Sequence, residues 1–176
     1  MDRSLIIGFG NIDRADDGVA WHIVNSLRRR LGEKRLDEDN TGLEELGSHV
    51  DSVFLTQLAP ELIDTLAGYC RVIFVDAHID EGMDDLYCSS VPPESAPPVL
   101  SHHVTPAMLL ALTCALHGRA PAGYLVSVRG YDFDFGRGLS ARSRELVEPA
   151  ACKILQLLED SSRKGETLST CTDKSG

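Results

Sequence analysis

The run Arg71-Val72-Ile73-Phe74-Val75-Asp76 constrains the fold more than any other stretch of the chain. Its β-branched and aromatic residues are continuous rather than alternating, which marks a strand buried on both faces, and such strands belong to parallel sheets covered by helices. A second apolar run, Leu5-Ile6-Ile7, ends in Gly8-Phe9-Gly10-Asn11. Asp16-Asp17-Gly18 follows, and then an apolar-periodic segment from Val19 to Leu31. This reads as strand, tight turn and helix. Gly32 to Ser52 is a polar, charge-rich surface connection with a helical turn near Leu43–Leu46. Val53–Thr56 reads as a strand, and Pro60–Ala67 as a helix with proline in its first turn and Gly68 at its end.

Alternating strands and helices imply a parallel sheet between helical layers. Leu86–Val91 breaks the rhythm. It begins only about ten residues after Asp76, too few for a parallel crossover with a helix, so it is expected to be antiparallel or an edge strand. Pro92-Pro93 and Pro97-Pro98 bracket a loop before Ser101-His102-His103. Thr105-Pro106-Ala107 opens a helix through Met108–Leu112, which ends at His117-Gly118. Gly123–Arg129 is the last strand. Leu146, Ala150, Ile154, Leu157 and Leu158 mark an amphipathic helix over Ser140–Glu159. The expected fold is α/β: a twisted, mostly parallel five-stranded sheet with helices on both faces, in three layers. Residues 1–160 form one domain and 161–176 a disordered tail.

Composition excludes some function classes. A formal net charge of -10 over 176 residues speaks against nucleic acid and anionic membrane, and suits metal cations or a basic peptide. No apolar run is long enough for a bilayer and no charged-then-apolar leader precedes the first strand, so a cytoplasmic protein is expected. Five cysteines, an odd number without a C-x-x-C pair, argue against a disulfide framework and a structural zinc site. All five are expected to be free thiols acting as small apolar residues.

The candidate chemistry gathers at strand ends. Asp16 and Asp17 would repel a phosphate at the start of the first helix, and Asp13 stands where a dinucleotide fingerprint needs its third glycine. A cation fits better. In an open parallel sheet the carboxyl edge is where ligands bind. Asp16 and Asp17 follow the first strand, Asp76 closes the third, and His102-His103 open a helix, so carboxylates and an imidazole converge on one rim. That set suits nickel, zinc, cobalt or cadmium, with positions left open for water or substrate. The bland alternatives are a helix cap at Asp16 or Asp17, a turn at Asp76, and at most one ligand between the adjacent histidines. His78, two residues after Asp76, is a candidate supporting group. His22, His49 and His117 read as ordinary helix or loop residues.

Gly8-Phe9-Gly10-Asn11 with Asp16-Asp17-Gly18, then Phe74-Val75-Asp76-Ala77, then Ser101-His102-His103-Val104 with its Leu-rich helix, resembles the hydrogenase maturation endopeptidases. These trim the C-terminal extension from the large subunit of nickel-iron hydrogenases. The resemblance spans Leu5 to Leu158 and includes Val147-Glu148-Pro149-Ala150. It implies metal contacts from Asp17, Asp76 and His103, and substrate contacts from Gly10, Asn11, Gln57 and His102. The nickel it implies is carried by the substrate, a large-subunit precursor, with zinc or cadmium able to substitute. The enzyme is expected to be a monomer. Water is activated either by metal or by Asp16 or Asp17 acting as base, as in an aspartyl-type peptidase. One departure is Thr56-Gln57-Leu58-Ala59-Pro60, where many members carry an Asp-Gly-Gly-Thr-like segment. Another is Asp17 itself, a position held by glutamate in some relatives. A hydrolase with its own resident zinc, and a non-catalytic nickel carrier or assembly partner, are the rival readings.

Overall fold

The computed structural model describes residues 3–93, 103–164 and 169–170. One five-stranded sheet is built from β1 (Ser4–Phe9), β2 (Val50–Leu55), β3 (Arg71–His78), β4 (Leu86–Val91) and β6 (Ala122–Arg129), in the order β2-β1-β3-β6-β4. The first four in that order run parallel, and β4 lies antiparallel against β6 at the edge. The short link after β3 cannot hold a crossover helix, so the chain reverses, and β6 later fills the place between β3 and β4. A two-residue ladder joins β5 (Arg119–Ala120) to β7 (Ser169–Thr170).

The continuous apolar runs divide by alternation between two cores. Ile6, Ile73, Val75, Val126 and Val128 face α1 (Val19–Arg30) and α4 (Ala141–Lys164), where Ile23, Leu27, Ala150 and Ile154 close the layer. Leu5, Ile7, Val72 and Phe74 face α2 (Leu62–Leu66) and α3 (Pro106–His117), through Leu66, Leu109 and Leu110. The result is the expected three-layer arrangement. α3 starts with the Thr105 hydroxyl accepting from Met108 N at 3.2 Å and with proline at its first position.

The connection after α1 is pinned rather than loose. Asn25 bonds both the carbonyl and the amide of Leu36, at 3.2 and 2.8 Å. Arg28 and Thr41 reach the outer side of β2 through Ser52 O and Phe54 N. A one-turn 3-10 helix at Leu43–Glu45 stands where a helical turn is expected.

The cysteines depart from expectation. Cys70, Cys88 and Cys152 are free thiols, but Cys152 is exposed and the other two are only half-buried. Cys114, buried in α3, is disulfide-bonded, so the prediction of five free thiols fails there. Cys171 lies outside the described residues, as does most of the expected tail; α4 itself runs on to Lys164. Among the described residues no helix is long and apolar enough to cross a membrane.

Candidate active site

Because β1, β3 and β6 are parallel, their carboxyl ends share one rim. Asp76 stands near the end of β3, in register with Ser127 of β6. One of its carboxylate oxygens, Oδ1, is buried without a hydrogen-bond partner among the described residues. Burial lifts the Asp76 pKa to about 6; the Ser127 hydroxyl holds it down and the nearby negative charge of Asp17 raises it further. Asp17 and Asp76 therefore feel one another across the rim. Ser127, 2% exposed, also lies 2.9 Å from His78 Nδ1. A hydroxyl has one proton and can accept another, so Ser127 links the carboxylate to the imidazole. Burial, followed by the charge of Arg129, lowers the His78 pKa.

Asp17 is presented by a tight loop. Its Oδ2 accepts from Asn11 N at 3.0 Å, and the Asn11 Oδ1 accepts from Asp13 N at 2.9 Å. Gly10 has a φ of 144°, and a Cβ there would lie 2.1 Å from the Asp17 carbonyl oxygen. Only glycine permits that approach. Gly10 and Asn11 also line a cavity of about 290 Å³ together with Thr56 and Arg137.

Asp16 points the other way. It is fully buried and accepts from Tyr131 N, Asp132 N and Ser140 N at 2.8, 3.0 and 2.8 Å, and from the Ser140 hydroxyl at 2.7 Å. Burial alone would raise its pKa, but donors from Tyr131, Ser140 and Ser143 outweigh it and hold the carboxyl below its ordinary value. A fully buried carboxylate that already accepts four hydrogen bonds is poorly placed to take a proton from water, which makes Asp17 the better candidate base. Neither aspartate caps α1, whose N-cap is Gly18 without a side-chain bond. Asp16 instead anchors the chain just ahead of α4.

The remaining candidates are less tightly gathered. His103 is exposed, two residues before the Thr105 cap of α3, and Gln57 is exposed beyond β2. His102 lies outside the described residues. Among the described residues no three His, Cys, Asp or Glu side chains are grouped closely enough to hold an ion. Asp17 and Asp76 are brought together electrostatically; His103 is not drawn into a trio with them. The donor chemistry nonetheless suits a divalent cation, because an orphaned buried carboxylate oxygen beside a second carboxylate is what a cation relieves. Sequence reasoning missed Ser127 and the segment 130–140. The Gly, Phe and Asp alternation of Gly130-Tyr131-Asp132-Phe133-Asp134-Phe135-Gly136 was the available signal for the latter.

No family model matches this sequence, and no curated protein matches it. Solved structures do. The chain aligns with the hydrogenase maturating endopeptidase HybD from E. coli at a TM-score of 0.65 and 22% identity, over 90% of this chain and 93% of that one. The fold is that of the hydrogenase maturation endopeptidases. An endopeptidase from Escherichia coli aligns at 0.63 and 21% identity, over 98% and 99% of the two chains. The [NiFe] hydrogenase maturation protease HycI from Thermococcus kodakarensis KOD1 aligns at 0.58 and 20%, over 89% and 92%.

Proposed function

We propose that this chain is a hydrogenase maturation endopeptidase: a hydrolase that removes the C-terminal extension of a nickel-loaded [NiFe] hydrogenase large-subunit precursor. The observation that carries this reading is the buried, orphaned Asp76 oxygen facing the charge of Asp17 at the carboxyl rim, in a fold otherwise seen in maturation proteases. In this reading nickel arrives as part of the substrate. Asp17 and Asp76 meet it from the rim, and His103, exposed ahead of α3 and not grouped with them in the free chain, is the third ligand that the arriving metal draws in. In the same reading Gly10, Asn11, Gln57 and His102 serve as substrate contacts. Zinc or cadmium would fill the same positions. Recognition of bound metal makes cleavage conditional on its insertion, because binding at a remote group positions the scissile bond. Asp17 is the carboxylate left to orient water, since Asp16 is committed elsewhere. We place the enzyme in the cytoplasm as a monomer.

The test is incubation with purified precursor, read by intact mass. The wild-type chain should shorten nickel-loaded precursor and leave nickel-free precursor whole. Asp76→Ala and His103→Ala should abolish cleavage with unchanged circular dichroism. Equal cleavage with and without nickel would overturn the recognition, and stoichiometric zinc in protein purified away from substrate would favour a resident-metal hydrolase.

A further inference from the structure

Loop 131–138 carries an apolar side chain out into water on a firmly held backbone. Phe135 is 88% exposed. The backbone beneath it is tied to the segment ahead of Asp17 at every turn. Ala15 N donates to Gly136 O at 2.8 Å, Gly136 N to Asp13 O at 2.9 Å, and Asp16 N to Asp132 O at 2.9 Å. Arg14 reaches Phe133 O through Nη2 at 3.1 Å, and its guanidinium lies 5.5 Å from the centre of the Phe135 ring. The Asp16 carboxylate holds Tyr131, Asp132 and Ser140 from below. Phe133 is folded inward, against Gly130, where a Cβ would come within 2.3 Å of its ring.

A second exposed apolar residue lies next door. Ile79, 72% exposed, follows β3, and the adjoining strand β6 leads into the Phe135 loop. Gly130 N donates to His78 O at 2.9 Å, so the two loops begin joined. Single exposed apolar residues are ordinary. Here, however, two of the three such side chains above two-thirds exposure among the described residues sit on the loops that leave β3 and β6, the third being Leu116 at 69%. On the same two loops Asp80, Asp84, Asp132 and Asp134 stand exposed, while the exposed Arg14 lies against the Phe135 ring and the exposed Arg137 is paired with Asp13 and Glu38.

We infer that the loops leaving β3 and β6 are the docking surface for the large-subunit precursor, with Phe135 and Ile79 as apolar anchors. This rests on the endopeptidase reading and adds the partner's contact surface to it. Holding Phe135 in water gains no burial within this chain. It does spare the ordering of a loop at the moment of association, and aromatic anchors placed in a pocket dominate interface energies. The four exposed aspartates of these loops outnumber Arg14 and Arg137, and this excess of acidic charge gives the partner's chemistry: an apolar socket rimmed by basic side chains. Electrostatic attraction of that kind speeds encounter and weakens with salt.

The experiment uses the full chain and purified nickel-loaded precursor, and measures both Kd and the KM and kcat of cleavage. Phe135→Ala should raise Kd and KM by about tenfold or more, with kcat and thermal stability unchanged. Ile79→Ala should act in the same direction, Leu116→Ala should match wild type, and added salt should raise the wild-type KM. Phe135→Ala with wild-type Kd and KM would overturn the docking surface while leaving the endopeptidase reading intact. Wild type that binds without cutting, together with a weakened Phe135→Ala, would keep the surface and sink that reading. Wild type that neither binds nor cuts overturns both.

Discussion

Two buried carboxylates show how environment decides a residue's contribution. Asp51, 4% exposed, accepts from the Tyr69 hydroxyl at 2.7 Å, Ser48 N at 2.9 Å, Arg3 Nη2 at 2.8 Å and Gly47 N at 3.0 Å. Burial raises its pKa, but these donors more than reverse the effect and leave it below the ordinary value. A depressed folded pKa means stability that is present above the unfolded value of about 3.9 and lost as pH falls through the folded one. Asp51→Asn should therefore cost about 2–3 kcal/mol at neutral pH, with the gap to wild type closing in acid melts below about pH 4. A pH-independent gap would show that the charge is not what matters. Asp76, whose folded pKa is raised to about 6, has the opposite sign: its contribution is present below the unfolded value of about 3.9 and is lost as pH rises through about 6. The sequence placed Asp76 at a strand end but could not show that its neighbour in β6 would be Ser127. That pairing depends on register between strands about fifty residues apart.

At the scale of elements, strands and helices were legible because their apolar spacing is local. β4 was legible as antiparallel from loop length alone, and its pairing with β6 follows that reading. Asp16 and Asp17 were not separable in the same way. They are consecutive, and which of them turns inward depends on Tyr131, Asp132 and Ser140, more than a hundred residues later. Segment 131–138 alternates aromatic and acidic residues, but its order comes from bonds to the first loop, which no local pattern reveals. Removing the Asp16 carboxylate would leave several buried donors unpaired. Asp16→Ala should thus destabilise the chain by about 3 kcal/mol or more. It should also speed amide exchange at 131–140 well beyond any change in β1 or β3. Uniform acceleration across the chain would argue that Asp16 supports the fold as a whole rather than this loop.

At the scale of the molecule, one sheet serves two apolar layers. Ile73 faces α1 and α4 while its neighbour Phe74 faces α2 and α3, and both are fully buried. Because the two layers share β3, they should melt together. Ile73→Ala and Phe74→Ala should each cost about 3–5 kcal/mol and each leave a single calorimetric transition. Two separated transitions in either variant would mean that the layers fold independently. The fold class was readable from the continuous run of β3, since burial on both faces leaves few other architectures.

Adjacent aspartates with opposite duties have a consequence for how such a chain can change over generations. Ala15 sits at a φ of 44°, unusual for a residue with a Cβ, and sets the direction in which Asp16 and Asp17 leave the turn. A residue added between Gly10 and Asp16 would put Asp16 in the rim position and leave the anchor position to Ala15, and one removed would put Asp17 in the anchor position and Gly18 at the rim. Drift in this segment is thereby confined to substitution at fixed length, whereas the exposed Asp37–Asp39, between the bonds that pin Leu36 and Asn40, can accept an added residue.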